Sequence, residues 1–169
     1  MSDTLSRGEA TTASGSQQAD RDHGLVLTDE LREFLDANPV GVIATLAPIG
    51  RPRQSLVYFV RDDDRLLIST LASRLKARDV TRGGWASLCV MGHAPPYPSA
   101  AFSGSASILT QNIGVPTARI AQRMTGTEEG PEPMSDESLA AVGRVILAID
   151  VERVSAVTHL SATRDSLSS

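Results

Sequence analysis

The sequence predicts a mainly β domain with peripheral helices, a six-stranded antiparallel barrel, on three observations. Short runs rich in β-branched and aromatic residues recur along the chain: VGVIATL, QSLVYFV, RLLIST, WASLCVMG, AFSGSASIL and RVILAIDVERVSAV. Turn-forming stretches, APIGRP and RDDD, separate the first three. Helical spacing occurs between some of these runs in no regular alternation, which argues against a parallel α/β sheet and for an antiparallel sheet that closes on itself. Aromatics make up only 4% of the 169 residues, so aliphatic side chains are expected to fill a small barrel, leaving ligands to its outside or to a subunit boundary.

Taken in order, residues 1–24 hold Ser, Thr, Ala, Gly, Gln and charged residues with one Leu, too little apolar surface to offset ordering, and are expected to form a disordered arm. The folded domain is expected over 25–158, with a tail over 159–169. LTDELREFLDANP opens it as a helix, with Leu31, Phe34 and Leu35 at helical spacing, Thr28 as N-cap, and Asp29 and Glu30 in the first turn. Pro39 ends that helix and a three-stranded meander follows. SRLKARDV has helix-forming composition. The prolines of HAPPYPS keep the next loop out of any ladder. Pro116 suits the first turn of the helix TARIAQRM, where Ile120 and Met124 lie four apart. GTEEGPEP reads as an acidic surface loop, and RVILAIDVERVSAV as the last strand.

The charge balance excludes some functions. With 16 Lys and Arg against 20 Asp and Glu, the formal net charge is −4, so no nucleic-acid partner is expected. One cysteine, Cys89, cannot make an internal disulfide and is expected as a buried small hydrophobe. His23, His93 and His159 are too scattered for a metal site, and none is expected. The longest apolar stretches, such as Val40 to Ala47, fall far short of the ~20 residues of a membrane helix. No secretory pattern opens the chain, so a soluble cytoplasmic protein without a membrane partner is expected.

Chemistry concentrates between Arg65 and Arg82. There a strand ends in Ser69 and Thr70, a short loop follows, and Ser73 is placed to cap a helix. A helix start offers unpaired N–H groups and the positive end of its dipole, which together stabilise an anion. Arg74, Lys76 and Arg78 add positive charge, and Lys76 is the only lysine in the chain. An ammonium is a common phosphate partner. The plainer reading makes Ser73 an ordinary cap and the cations a solvated helix face.

These segments, in this order and spacing from about Leu31 to Val154, resemble the split β-barrel flavin and deazaflavin oxidoreductases related to pyridoxamine 5'-phosphate oxidase. They are NPVGVIATLAPIGRPRQSLVYF, LLISTLASRLKARDV, WASLCVMG, AFSGSASIL with its Gly104, and RVILAIDVERV. The resemblance implies a homodimer with a flavin or deazaflavin in each of two grooves between the chains. It implies that Ser69, Thr70, Ser73, Arg74 and Lys76 hold the cofactor phosphate. Arg53, Gln54 and Ser55 would lie along the ring system or reach the phosphate. Leu75 separates Arg74 from Lys76 where the pyridoxamine phosphate oxidases have adjacent Arg and Lys. Those oxidases also carry a Trp-Arg-Leu motif near the C-terminus, whereas this chain has one Trp, at position 85, and ends in SATRDSLSS, so their substrate is not expected.

Within that family the sequence looks more like the branch that uses coenzyme F420, with FMN as the alternative cofactor. The activity implied is hydride transfer from reduced F420 to an unsaturated small organic substrate. A non-catalytic flavin- or haem-binding role and a dimeric interaction module recruiting partners through the arm are the rivals. Trp85, Tyr58 and Tyr97 are candidates to flank a ring, although a lone Trp at a strand start reads first as core. His93, just ahead of the Pro-rich loop, is a candidate to polarise a substrate carbonyl, but it is not expected to be catalytic. No catalytic residue is assigned.

Overall fold

The structure, a computed structural model, describes residues 27–160. The expected arm and nearly all of the expected tail lie outside the described residues. Eleven elements follow one another: α1 (Asp29–Ala37), β1 (Val40–Leu46), β2 (Pro52–Tyr58), β3 (Val60–Asp62), β4 (Arg65–Leu71), α2 (Leu75–Gly83), β5 (Trp85–Met91), β6 (Ser99–Leu109), α3 (Gly114–Thr125), α4 (Asp136–Ala141) and β7 (Arg144–Thr158). The strands form one antiparallel sheet in the order β2-β1-β5-β6-β7-β4-β3.

β2 runs straight on into β3 through Phe59, so the two outermost strands of that order are one stretch of chain. Tyr58 still pairs with Val40 on β1, the Phe59 N–H donates to the Pro39 carbonyl (3.1 Å), and Val60 already pairs with Leu67 on β4. The expected run QSLVYFV therefore serves two neighbours in turn. Six runs of chain make seven strands, and the sheet curls into a split barrel.

Period-two alternation sorts side chains to the two faces of this sheet. Ile43, Val57, Leu66, Ile68, Leu88, Val90, Phe102, Leu147 and Ile149 fill the interior with aliphatics and Phe, as the composition required. Phe34 and Leu35 of α1 join that core, as does Val80 of α2. Outside the barrel, Ile113, Ile120 of α3 and Leu139 of α4 pack with Leu67, Ile146 and Ala148 of β4 and β7 as a second layer. Among the described residues the opposite outer face carries no such cover, and there Cys89 and Trp85 are exposed where the sequence predicted burial. Alternation puts Cys89 on the outer side of β5, between Val42 and Ala101 of the neighbouring strands.

Local chemistry sets the helix starts. Thr28 caps α1 through its hydroxyl, which accepts from the Leu31 N–H (3.3 Å), and Ser135 does the same for α4 from Ser138 (3.2 Å). For α3 the carboxylate of Asp136 reaches over from α4 and accepts from the Asn112 and Ile113 N–H groups at 2.6 and 2.9 Å. Pro116 sits in the first turn of α3, as expected. At a bulge between β6 and β7, Gly104 lies against β7 so closely that a Cβ there would be 1.9 Å from the Asp150 carbonyl oxygen. Glu152 on β7 accepts from the Ser105 N–H (3.0 Å), and hydrogen bonding from Ser105 holds its carboxyl below the usual carboxylate range.

Candidate functional site

α2 fills one end of the barrel by burying Ala77, Asp79 and Val80. Its N-cap is Arg74, one residue later than the expected Ser73, because the turn after β4 closes with the Arg74 N–H donating to the Leu71 carbonyl (3.0 Å). Among the described residues no side chain caps the helix, and Ser73 is exposed outside it. The first bond within the helix joins the Arg78 N–H to the Arg74 carbonyl (3.1 Å), which leaves the N–H groups of Leu75, Lys76 and Ala77 without an intrahelical acceptor. Thus α1, α3 and α4 each have an oxygen at their N-terminus, and α2 has none among the described residues.

The cations around that start are also unspent. Among the described residues, neither Arg74 nor Lys76 lies within ion-pair distance of a carboxylate. Leu75 turns outward and is exposed, whereas Lys76 is half-buried. Burial lowers the Lys76 pKa from the ordinary lysine value, and the nearby Arg74 charge lowers it further. A half-buried ammonium held beside another cation is the environment an anion would relieve.

The residues expected to meet at one phosphate are divided by the strand period. Thr70 is buried on the interior side of β4 beyond Leu66 and Ile68, whereas Ser69 shares the outer side with Leu67 and pairs with Ile146. The Ser69 Oγ is buried and has no hydrogen-bond partner among the described residues. On β2, Arg53 and Ser55 face inward opposite Thr45 and Ile43, and Gln54 is exposed on the outer face opposite Ala44. Arg53 reaches α2, where its Nη1 donates to both carboxylate oxygens of Asp79 at 3.2 Å. The structure therefore joins Arg53 to the helix that carries Lys76 and places Gln54 on the other side of its strand.

Asp79 and Arg82 were not foreseen. Asp79 is 2% exposed and also accepts from Thr45 Oγ1 (3.1 Å) and Arg82 Nη2 (3.0 Å); Arg82 Nη2 donates in addition to the Leu46 carbonyl. The only sequence signal was the position of Asp79 beside Val80 on the buried stripe of the helix. Of the ring-flanking candidates, Trp85 is 39% and Tyr97 51% exposed, and Tyr58 is half-buried against the α3 layer. His93 is exposed, with Nδ1 3.5 Å from Asn38 Oδ1, and His159 is exposed as well.

An uncapped helix start and two cations without a carboxylate partner among the described residues fit the phosphate of a nucleotide-like cofactor. Among the described residues no group of His, Cys, Asp and Glu is arranged to hold a metal, and no helix is long and apolar enough to cross a membrane.

The fold is shared with several solved structures. One described as F420 reductase superposes with a TM-score of 0.60 at 22% identity, over 73% of this chain and 94% of that one. An FAD-binding protein of Mesorhizobium loti gives 0.55 at 23%, over 77% and 94%. The haem storage protein HutZ of Vibrio cholerae gives 0.54 at 15%, over 78% and 94%. No curated protein matches the chain by sequence. The family comparison matches residues 27–158, which is the whole barrel, and the chain belongs to the pyridoxamine 5'-phosphate oxidase family.

Proposed function

We propose that the protein is a homodimeric oxidoreductase that uses reduced coenzyme F420 to deliver a hydride to an unsaturated small organic substrate. The observation that carries this reading is the start of α2, with three free N–H groups and the unpaired Arg74 and Lys76, in a chain of net charge −4. Family membership and the fold shared with an F420 reductase support it.

When bound, a deazaflavin would supply the hydride chemistry, having carbon where a flavin has N5 and reacting poorly with oxygen. The chain's own residues bind and orient. Lys76 and Arg74 would neutralise the cofactor phosphate, and the N–H groups of Leu75, Lys76 and Ala77 would donate to it. Gln54 stands on the exposed outer face of β2, on the same side as Leu56. Holding substrate against the ring removes orientational freedom, which is a large part of the acceleration, and solvent or substrate provides the proton. No acid–base pair is required.

The second copy is assigned to the uncovered outer face. There Leu56, Val42, Cys89 and Ala101 form one cross-strand row, with Leu46 and Met91 on the same side of the sheet. Leu56 is 69% and Met91 61% exposed, an apolar surface that a second subunit would bury. Leu56→Asp is expected to halve the mass in solution measured by light scattering and to weaken cofactor binding with it. An unchanged mass would move the interface elsewhere.

The reading is tested by titrating purified protein with F420 and with FMN. Saturable quenching of F420 fluorescence, tighter than FMN binding, is expected, followed by reduction of quinone or enone acceptors. A protein that answers to neither cofactor ends the proposal. The likeness to HutZ favours one other reading, in which the groove holds a flavin or haem without turnover. Equilibrium binding with no acceptor reduced would select it.

A further inference from the structure

We infer that Asp79 is a positioning residue for the cofactor phosphate, acting by holding the Arg53 guanidinium against α2, one helical turn from Lys76. The inference rests on the cofactor reading above and adds a residue that no resemblance assigned.

Three elements meet at this one carboxylate. Thr45 of β1 donates from Oγ1 at 3.1 Å, Arg53 of β2 from Nη1 at 3.2 Å, and Arg82 of α2 from Nη2 at 3.0 Å. A buried carboxylate needs such partners for its own stability. Arg82, on the same helix, and Thr45 already supply a cation and a hydroxyl. Arg53 is a second cation, brought from 26 residues away on a strand that pairs only with β1.

The part of Arg53 left over is what matters. Its side chain is 36% exposed, and only Nη1 is engaged, so Nε and Nη2 have no protein acceptor among the described residues. A guanidinium is planar, and pinning one of its amines fixes the direction of the others. Ordering a long arginine before the ligand arrives removes that entropy cost from binding. The charge count keeps the place cationic, with one carboxylate between two guanidinium groups. Lys76 stands three residues before Asp79, one helical turn nearer the uncapped start. Asp79 thus orients a cation without cancelling the positive field that an anion would meet.

A double-mutant cycle on the full chain tests this, with FMN and F420 as probes and riboflavin, which lacks the phosphate, as control. Arg53→Ala and Asp79→Asn are each expected to weaken binding of the phosphate-bearing probes about tenfold, as for loss of one charge-assisted hydrogen bond. The double variant should lose no more than either single one, with riboflavin affinity unchanged throughout. Losses that multiply in the double variant, or an Asp79→Asn protein that binds like wild type, overturn the inference while the cofactor reading stands. A wild-type protein that binds neither FMN nor F420 overturns both.

Asp79→Asn is at risk of misfolding, and two measurements do not depend on it. In ligand-free wild type, the Arg53 side-chain Nε–H is expected as a resolved, ordered NMR signal, and a signal averaged as for a free arginine counts against the latch. Arg53→Lys keeps the charge but, seated on Asp79, has no second arm to extend. It is expected to bind the phosphate probes as weakly as Arg53→Ala; wild-type affinity in that variant would again overturn the inference.

Discussion

Gly104→Ala is expected to cost the protein about 3 kcal/mol or more of folding stability, read as a lowered denaturant midpoint and poor soluble yield. The added Cβ would stand 1.9 Å from the Asp150 carbonyl oxygen, 2.9 Å from the Glu152 nitrogen and 3.0 Å from the Asp150 carbonyl carbon. All three are backbone atoms, so no side chain can swing aside. Relief requires β6 and β7 to separate at their bulge, where Ser103 pairs with Arg153 but Gly104 already pairs with Val151. These two strands lie in the middle of the sheet, and β7 passes the strain to β4. Against a total stability of about 5–15 kcal/mol for an ordinary domain, such a loss leaves a large unfolded fraction. Gly83→Ala is the matched control. It has nothing within 4 Å of the added Cβ and lies in the last turn of α2, so its midpoint should stay or rise slightly. If Gly104→Ala unfolds at the same denaturant concentration as wild type, the bulge does not hold the strands in the geometry described.

How much of this was legible in the sequence depends on the range of the interaction that decides each feature. α1 with Thr28, the strand runs and the Pro116 helix start are set by neighbours within a few residues, and the structure has them where the sequence placed them. α4 has only six residues, too few for a helical period to emerge from DESLAA. The shift of the α2 cap from Ser73 to Arg74 was decided by the closing of a single turn. Burial of Cys89 and Trp85 could not be settled by alternation, which separates two faces of a strand but does not say which face another element will cover. Ser69 and Thr70 are adjacent in sequence, and that adjacency is what puts them on opposite sides of β4. Asp79 is one charge among several on α2 in the sequence, and its partner Arg53, 26 residues away, meets it only across the barrel end.

Lys76→Ala is expected to weaken binding of F420 or FMN by about tenfold to a hundredfold, the value of a hydrogen bond to a charged partner, while leaving thermal stability unchanged or slightly raised. The two halves of this prediction have one cause. In the free protein the ammonium is half-buried, has no carboxylate partner among the described residues, and is disfavoured first by burial and then by Arg74. Removing it relieves a cost rather than breaking a contact. The sign of the pH dependence follows. Since the folded pKa lies below that of the unfolded chain, the unfolded state keeps the proton longer, and the stability of the free protein rises with pH between the two values. Cofactor affinity runs the other way, falling as pH climbs through the lowered pKa because the charge that meets the phosphate is lost. Lys76→Arg should hold its affinity across the same range, as a guanidinium stays charged there, and riboflavin should show neither effect. A Lys76→Ala protein that loses melting temperature and keeps its affinity for FMN and F420 would make the lysine a structural residue and leave α2 without its principal ligand.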